Sequence, residues 1–280
     1  MPILLLYNFQ SVTFIMSYRF PVLAYHKVDP RKELGITSIS PKRFKKQVSL
    51  LRQFGYTSVL PQSLFEQTGT ITKPILITFD DGYEGVYEYA YPILKECGFT
   101  ATVFITTGYV GTYNNWDASP GPRFRHLNWK QIIEMSDDGI CFGAHSVNHV
   151  FLTRQSNKKV KYELETSKKI LEDETGKSVR FFSYPYGDYD RRIIEFIYEA
   201  GYEAAFSLRP EFLKVEDIIN NRYILPRIAI YCIDSLCAFK SKIGNSNSDA
   251  LPYSQRLKNR LINRCSYAAI VVEILKNKRT

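Results

Sequence analysis

A short apolar segment ends on two adjacent carboxylates and a glycine in Ile75-Leu76-Ile77-Thr78-Phe79-Asp80-Asp81-Gly82. The segment is too short for a typical helix and rich in β-branched and aromatic residues, which favours a buried strand of an α/β sheet. Asp80 and Asp81 then lie at the carboxyl end of that strand, where such sheets and barrels carry their chemistry. The alternative is a solvated Asp-Asp-Gly turn, but two neighbouring carboxylates repel each other unless a cation or a proton is shared between them.

A second polar cluster follows another short apolar segment. Ile140–Ala144 predicts a strand, and it ends on His145-Ser146-Val147-Asn148-His149. Two imidazoles four residues apart share one face if the backbone turns helically, so His145 and His149 are candidate ligands of one metal ion. A histidine pair without function is the alternative, but the Asp-Asp strand end in the same sheet favours a metal site.

Predicted strands and helices alternate along the chain from about residue 22 to residue 230. This order is typical of an α/β protein with a mostly parallel sheet and outer helices, and it predicts closure into a barrel. The predicted strands are Val22–Tyr25, Tyr56–Leu60, Ile75–Phe79, Thr100–Ile105, Ile140–Ala144, the segment from Arg180, Ala204–Ser207 and Tyr223–Ile230. The predicted helices are a segment after the Ser40-Pro41 cap, Tyr87–Cys97, Trp129–Met135, Val160–Asp173 with its Lys/Glu pairs in solvent, and Arg191–Ala200.

The composition of the 280-residue chain, 45% hydrophobic and 23% charged, is that of a globular protein. Its five cysteines are odd in number and have no CxxC spacing, which indicates reduced thiols rather than a disulfide framework or a zinc knuckle. Residues 1–16 lack the pattern of a signal peptide, and we interpret them as an N-terminal extension that ends at a second methionine, Met16. We assign residues 17–239 to a catalytic domain and residues 240–280 to a tail.

The net charge of +9 is concentrated in the tail, because residues 240–280 contain nine basic and two acidic residues. Residues 255–265 predict a basic amphipathic helix with Leu257, Leu261 and Ile262 on one side. Such a helix packs on the barrel or contacts an anionic membrane surface, and both alternatives stay open. No nucleic-acid-binding motif accompanies the charge, so we expect no nucleic-acid partner. We expect a cytoplasmic location or a peripheral one at the inner membrane surface.

Three motifs together resemble those of a known family. Thr78-Phe79-Asp80-Asp81-Gly82, His145-Ser146-Val147-Asn148-His149 and Ser183-Tyr184-Pro185-Tyr186-Gly187 occur in the order and rough spacing of the polysaccharide deacetylase family. This family is the NodB homology domain, carbohydrate esterase family four, and the resemblance covers roughly residues 20–235. Leu23-Ala24-Tyr25-His26 and Leu225-Pro226-Arg227-Ile228 are similar to the subgroup of poly-N-acetylglucosamine deacetylases.

The resemblance implies a distorted (β/α) barrel with a divalent metal, most often Zn²⁺, with Co²⁺ or Ni²⁺ as alternatives. The residues at the positions of the family's metal ligands are Asp81, His145 and His149. An Asp-His-His set leaves coordination positions for water and for the acetamide carbonyl of a substrate.

The resemblance also implies catalytic roles. Asp80 stands at the position of the general base that takes a proton from metal-activated water. The backbone N–H of Tyr186 stands where the family stabilises the oxyanion of the tetrahedral intermediate. The late histidine of other family members is absent, and the subgroup implies that His26 protonates the leaving amine instead.

One departure from the family pattern concerns the residue that orients the base. Many members have an arginine beside the Pro-Tyr-Gly turn, where this chain has Ser183. Arg227, or alternatively Arg180, is expected to take over that role.

The expected function is removal of N-acetyl groups from an N-acetylated sugar or polysaccharide. One alternative is a metal-dependent amidohydrolase on a small non-sugar amide, because the site chemistry would be the same. Another is an inactive carbohydrate-binding barrel, which the complete ligand set disfavours. The long segment from residue 109 to residue 128 is a candidate lid or substrate rim because of its length, its histidine and its aromatic residues, which are His126, Tyr113, Trp116 and Phe124.

Overall fold

The computed structural model describes residues 19–265 with gaps at 32, 34, 67–70, 116–121 and 245–250. The predicted N-terminal extension, Trp116 and the end of the tail therefore lie outside the described residues. Within these ranges the strands are Arg19–Phe20 (β1), Val22–Tyr25 (β2), Lys27–Val28 (β3), Ser38–Ile39 (β4), Thr57–Ser58 (β5), Pro74–Phe79 (β6), Thr102–Ile105 (β7), Cys141–Ala144 (β8), Phe181–Ser183 (β9), Ala204–Phe206 (β10), Leu213–Lys214 (β11) and Ile228–Ala229 (β12).

Seven of these strands lie side by side in the order β10-β9-β8-β7-β6-β2-β12, and β5 pairs with β6 beside them. Every pairing in this sheet is parallel. Just before β12, Leu225 exchanges backbone hydrogen bonds with Ala205 and Ser207 at the opposite edge, so the sheet curls toward closure. The prediction of an α/β fold with a curled parallel sheet, as in a distorted (β/α) barrel, is confirmed.

Alternation of side chains along the strands separates two buried layers. In β6, Ile75, Ile77 and Phe79 pack in the cluster that meets the helices, while Leu76 packs in a second cluster inside the curled sheet. Because successive strand residues point to opposite faces, Asp80 continues the inward series of Leu76. β6 therefore places Asp80, the first carboxylate after it, in the interior of the curled sheet.

The same alternation applies to the neighbouring strands. His26 follows β2, His145 follows β8 and Ser183 ends β9. Each of them lies two residues after a strand residue whose side chain points into the curled sheet, so its own side chain points the same way. Because all these strands are parallel, the polar side chains gather at one end of the curled sheet. The fold thus concentrates candidate chemistry at the carboxyl ends of the strands.

The described helices are Pro41–Gln53 (α1), Tyr91–Cys97 (α2), Trp129–Asp137 (α3), Asn157–Thr175 (α4), Arg191–Glu199 (α5), Val215–Asn220 (α6), Leu236–Lys242 (α7) and Tyr253–Cys265 (α8). The predicted cap of the first helix is present, because the Ser40 side chain accepts a hydrogen bond from the backbone N–H of Arg43. Helices α6 and α7 and the short strand pairs β1–β11 and β3–β4 were not predicted from the sequence. The predicted domain boundary after residue 239 falls inside α7.

Two predicted elements differ from the structure for reasons that involve proline. The predicted strand Tyr223–Ile230 is a 3₁₀ turn at Arg222–Ile224 followed by the two-residue β12, because Pro226 has no N–H for a ladder. The predicted helix Tyr87–Cys97 begins with a π-helical turn at Val86–Ala90 and becomes α-helical only from α2 onward. Pro92 lies at that change, where its ring cannot accept the regular pattern of an α-helix interior.

The predicted tail helix is present as α8, and polar residues rather than its leucines contact the barrel. Of the two alternatives left open for this helix, packing of its apolar side on the barrel does not hold for Leu257 and Leu261, whose side chains are 43% and 54% exposed. Polar contacts hold the helix instead: Lys258 pairs with Asp234 at 3.1 Å, and the fully buried Asn259 amide donates to a carbonyl of β12 at 3.4 Å. Within the described part of the chain, no helix has the length and apolar character needed to cross a bilayer.

Candidate active site

Asp81, His145 and His149 converge at the carboxyl end of the sheet. The Nε2 atoms of His145 and His149 lie 3.3 and 3.1 Å from Asp81 Oδ1. One ligand atom of each residue lies within 4.8 Å of the other two, and all three side chains are buried. The two histidines come from the loop after β8 and the carboxylate from the end of β6, so the parallel sheet creates this cluster.

The donor set fits a divalent cation. Asp81 Oδ1 is buried and makes no hydrogen bond of normal geometry, although the two imidazoles face it. Nδ1 of His145 lies 2.7 Å from the carbonyl oxygen of Ser183. A carbonyl only accepts, so Nδ1 carries the proton and Nε2 presents its lone pair to the centre of the cluster. One carboxylate and two imidazoles are a ligand set that zinc and similar ions favour.

The backbone is strained at this cluster. Among the described residues, four that are not glycine have a positive φ: Asp81 (71°), Ser146 (65°), His149 (53°) and Tyr186 (60°). Two of them lie within the His145–His149 loop, which is therefore not the helical turn that the spacing suggested. Left-handed backbone costs about 1–3 kcal/mol per residue and persists only where the surroundings impose it, often at functional sites.

Asp80 is held by a buried arginine. Arg227 donates from its two terminal nitrogens to the two oxygens of Asp80 at 2.7 and 2.8 Å, and it is fully buried. Ser183 accepts from Arg227 at 2.6 Å and donates to Asp80 at 3.2 Å, while Thr78 accepts a further bond from Arg227 at 3.1 Å. The alternative partner, Arg180, pairs with Glu203 and Glu66 and makes no such contact with Asp80.

Ser183 and Thr78 were not predicted to belong to this network, although the sequence contains a signal for both. Thr78 lies two residues before Asp80 in β6, and Ser183 lies two residues after Phe181 in β9, so strand alternation points both side chains inward. Their hydroxyl groups complete the hydrogen bonding of the buried guanidinium.

Both aspartates stay ionised despite their burial. Burial by itself raises the pKa of Asp80, but Arg227 and His145 outweigh it and lower that pKa below its ordinary value. Burial likewise raises the pKa of Asp81, while His149 and His145 hold it well below its usual range. Two adjacent carboxylates can remain charged here because each has its own positive or polar partner.

His26 approaches the same centre from the end of β2. Burial lowers the pKa of His26, Asp81 and Asp80 oppose that shift, and Arg227 and His145 add to it. The net pKa is below the ordinary value, so the ring is neutral at neutral pH. Its Nδ1 atom is buried without a hydrogen-bond partner among the described residues.

Tyr186 lies against the second histidine of the cluster. Its ring stacks on Phe151 with centroids 3.8 Å apart and meets His149 edge-on at 4.5 Å. It occupies the middle of the 3₁₀ turn Pro185–Gly187 with a left-handed backbone. The structure thus brings Tyr186 to the cluster, and the role of its backbone N–H stays a prediction.

His126 does not form a substrate rim. Its side chain is buried, its Nδ1 lies 2.9 Å from the backbone carbonyl oxygen of Asp81, and its ring stacks on Tyr83 with centroids 4.7 Å apart. Phe124 is also buried, whereas Tyr113 is exposed. Within the described part of this long segment, His126 therefore supports the backbone of a candidate ligand from behind, because its ring turns inward to the Asp81 carbonyl.

Glu163 in α4 is a further residue that the sequence analysis missed. Its carboxylate is fully buried and pairs with the partly exposed Lys159, so the prediction that the Lys/Glu pairs of this helix are solvated is wrong here. Glu163 lies at helical spacing between Val160 and Leu164, both buried. This position on the apolar stripe is the signal in the sequence that identifies it as inward-facing.

The part of the chain that carries this site is similar to known proteins. The sequence profile described as Polysaccharide deacetylase matches residues 67–205, which include both aspartates, both histidines of the cluster and Tyr186. The poly-beta-1,6-N-acetyl-D-glucosamine N-deacetylase of Staphylococcus aureus is 30% identical over 213 residues, which are 71% of this chain and 70% of that protein.

Two further similarities extend the comparison. The Bacillus subtilis protein YxkH is 28% identical over 196 residues, which are 69% of this chain and 65% of that protein. The chain thus spans about two thirds of the length of these two relatives. Among solved structures, IcaB from Ammonifex degensii superposes with a TM-score of 0.64 at 28% identity, covering 77% of this chain and 93% of that one.

Proposed function

Because the chain belongs to the polysaccharide deacetylase family, we propose that it is a metal-dependent hydrolase that removes N-acetyl groups from an N-acetylated sugar or polysaccharide. One observation carries this proposal: three buried ligand atoms of Asp81, His145 and His149 converge beside a second carboxylate, Asp80, that is held ionised by Arg227. Amide hydrolysis needs both an electrophilic centre and a base. Asp81, a proposed ligand of the metal ion, and Asp80, the proposed base, are adjacent in the chain.

The metal is assigned to Asp81, His145 and His149. We propose that the cation is Zn²⁺. Bound there, it would act as a Lewis acid that activates water and polarises the acetamide carbonyl. The contribution of the protein is to fix the ligands beforehand. The Ser183 carbonyl orients the ring of His145, and the buried position of Asp81 keeps competing water away from its oxygen.

Asp80 is the general base in this proposal. Its carboxylate accepts the proton of the attacking water, for which it has to be ionised and correctly oriented. The bidentate contact with Arg227 serves both requirements, because a planar guanidinium fixes the plane of the carboxylate while its charge keeps the group deprotonated. The hydroxyl of Ser183 donates to Asp80 Oδ1, one of the two oxygens that Arg227 contacts.

His26 is the general acid for the leaving amine in this proposal. Its lowered pKa means that the ring is neutral before the reaction, so it has to acquire a proton during turnover before it donates one. The backbone N–H of Tyr186 is assigned to the oxyanion, and the stacking of its ring on Phe151 supports a fixed position for that donor.

The proposed substrate is an N-acetylated glycan or glycan intermediate, in line with the activity named for the staphylococcal relative. We place the enzyme in the cytoplasm or at the inner membrane surface. The tail favours contact with anionic lipid, since Leu257 and Leu261 are exposed on α8 beside the basic Arg260.

The test pairs metal content with acetate release. We expect about one metal ion per purified chain and Zn²⁺- or Co²⁺-dependent acetate release from N-acetylglucosamine oligomers. Asp81→Ala should lose both, while Asp173→Ala, which removes an exposed carboxylate on α4, should lose neither.

The possible outcomes distinguish the proposed function from its two alternatives. Metal without acetate release from oligomers, together with turnover of small amides, would favour the amidohydrolase alternative. Metal and oligomer binding without any hydrolysis would favour the carbohydrate-binding barrel. Absence of metal from protein purified and reconstituted with Zn²⁺ would contradict the proposed site.

A further inference from the structure

The carboxylate of Glu163 bonds to the loop that carries both histidine ligands. Its Oε2 accepts the backbone N–H groups of Val147 and Asn148, each at 2.8 Å. Its Oε1 accepts the side-chain amide of Asn148 at 2.7 Å and the ammonium of Lys159 at 2.9 Å. Every donor except Lys159 belongs to the segment between His145 and His149.

This arrangement is an anion-binding concavity of the backbone with a resident anion. Two consecutive N–H groups point at one oxygen, and left-handed residues, Ser146 and His149, flank them. Such a conformation concentrates positive dipole ends, and an anion stabilises it. Here the anion is a side chain from α4, so a strained loop is tied to a regular helix of 19 residues.

The opposite side of the loop is fixed as well. The backbone N–H groups of Thr107 and Gly108 donate to the carbonyls of Ser146 and Val147 at 3.2 and 2.9 Å. A Cβ atom at Gly108 would come within 2.6 Å of the Val147 carbonyl oxygen, so only glycine permits this approach. The carbonyls of the loop are therefore held by the segment after β7, and its N–H groups depend on Glu163.

We propose that Glu163 is a positioning residue that holds the His145–His149 loop in its metal-ligating conformation. The inference rests on the proposed function, because it assigns Glu163 a role toward the metal site. It acts through the loop, since its bonds go to Val147 and Asn148, between the two ligands. Without the carboxylate, two N–H groups lose their acceptor, and the left-handed conformations at Ser146 and His149 lose their support.

The decisive variant is Glu163→Gln. A glutamine oxygen can still accept the two backbone N–H groups, but its amide nitrogen then faces the amide of Asn148 and the ammonium of Lys159, which are donors too. The matched control is Glu165→Gln, which removes an exposed carboxylate from the same helix.

The measurement is Co²⁺ affinity by competition with a chromophoric chelator, together with the visible spectrum of the bound Co²⁺. We expect Glu163→Gln to bind Co²⁺ about 10–100-fold more weakly than wild type. Amide exchange at Val147 and Asn148 in the metal-free protein should accelerate in the same variant, whereas Glu165→Gln should match wild type in both respects.

A double variant tests the mechanism further. In Asn148→Asp with Glu163→Gln, the side-chain bond is restored with reversed polarity, because the glutamine amide donates to the new carboxylate. We expect Co²⁺ affinity to recover partly relative to Glu163→Gln alone. Glu163→Gln that binds Co²⁺ as tightly as wild type would overturn this inference and leave the proposed function standing. Wild-type protein that binds no Co²⁺ would instead contradict the proposed function.

Discussion

Among the described residues, two aspartates pair with a cation whose side chain is itself fully buried, and one of the two lies at the candidate active site. Asp80 pairs with Arg227, and Asp234 pairs with Lys242, with all four side chains almost completely excluded from solvent. Burial and charge are thus equal in the two pairs. What differs is how the carboxylates are bonded and what lies next to them.

The pair at Asp234 is saturated. Asp234 accepts Lys242 and the backbone N–H of Tyr231 on one oxygen and Lys258 on the other, and Lys242 also donates to the Ala229 carbonyl. These contacts join β12, α7 and α8, so the cluster ties the tail to the sheet.

In the pair at Asp80, the contacts fix the orientation of the carboxylate. A planar guanidinium fixes the carboxylate, and the next residue, Asp81, has a strained backbone and an oxygen without a hydrogen bond. A buried ion pair by itself therefore indicates a structural role for its two residues. A buried ion pair beside strain and an unsatisfied buried oxygen indicates a functional site.

The largest expected effect is a difference in activity between variants of Asp80 and Asp234. Asp80→Asn keeps the shape of the side chain but cannot accept a proton, so we expect kcat/KM for acetate release to fall about 10²–10⁴-fold. Asp234→Asn should leave the activity of the folded fraction near that of wild type. Acetate-release kinetics corrected for folded fraction by circular dichroism provide the measurement. Near-normal activity of Asp80→Asn would remove the base from the proposed mechanism.

The second prediction concerns orientation of the base. Arg227→Lys keeps the positive charge but loses the bidentate contact, so we expect activity to fall on the order of 10²-fold. Co²⁺ affinity should stay near the wild-type value, because Arg227 bonds to Asp80 and not to the proposed ligands. Equal losses of Co²⁺ binding and activity would mean that Arg227 supports the metal site as a whole.

The third prediction concerns stability. Lys242→Met leaves Asp234 buried without its main partner, so we expect the free energy of unfolding to fall by about 3–5 kcal/mol in urea titrations. Lys240→Met, on the exposed side of the same helix, should change it by less than about 0.5 kcal/mol. A small effect of Lys242→Met would show that Lys258 alone suffices for the pair.

The smallest expected effect is a pH dependence from the same lysine. Burial lowers the pKa of Lys242 to about 8 from 10.5, although Asp234 raises it in part. The folded state therefore loses this proton at lower pH than the unfolded state does. Between about pH 8 and pH 10 the unfolded chain binds more protons, so the free energy of unfolding rises by at most about 1.4 kcal/mol per pH unit from this group.

The check is the difference between wild type and Lys242→Met in urea titrations across that pH range. The rise should be present in the wild-type protein and absent from the variant. A parallel pH dependence of the two proteins would assign the effect to other titrating groups.

Several parts of the fold could be predicted from local pattern. Apolar segments ending on polar residues identified β2, β6 and β8, and the Ser40-Pro41 cap identified the start of α1. Elements that depend on long-range pairing were missed, such as β1 with β11, because two-residue strands carry no periodicity of their own. The orientation of α8 was left open by its sequence pattern, and the contact of Lys258 with Asp234 settles which side meets the barrel.

The ligand types, the order of the motifs and the parallel α/β architecture could be predicted from the chain alone, because spacing and alternation are local properties of the chain. Which of these residues contact one another depends on the folding of the whole chain. Folding paired Asp80 with Arg227, which lies 147 residues away along the chain, left Arg180 outside the site, turned His126 behind Asp81 and brought Glu163 to the histidine loop. Such contacts depend on how the sheet curls and how helices pack on it, and no local pattern encodes those distances.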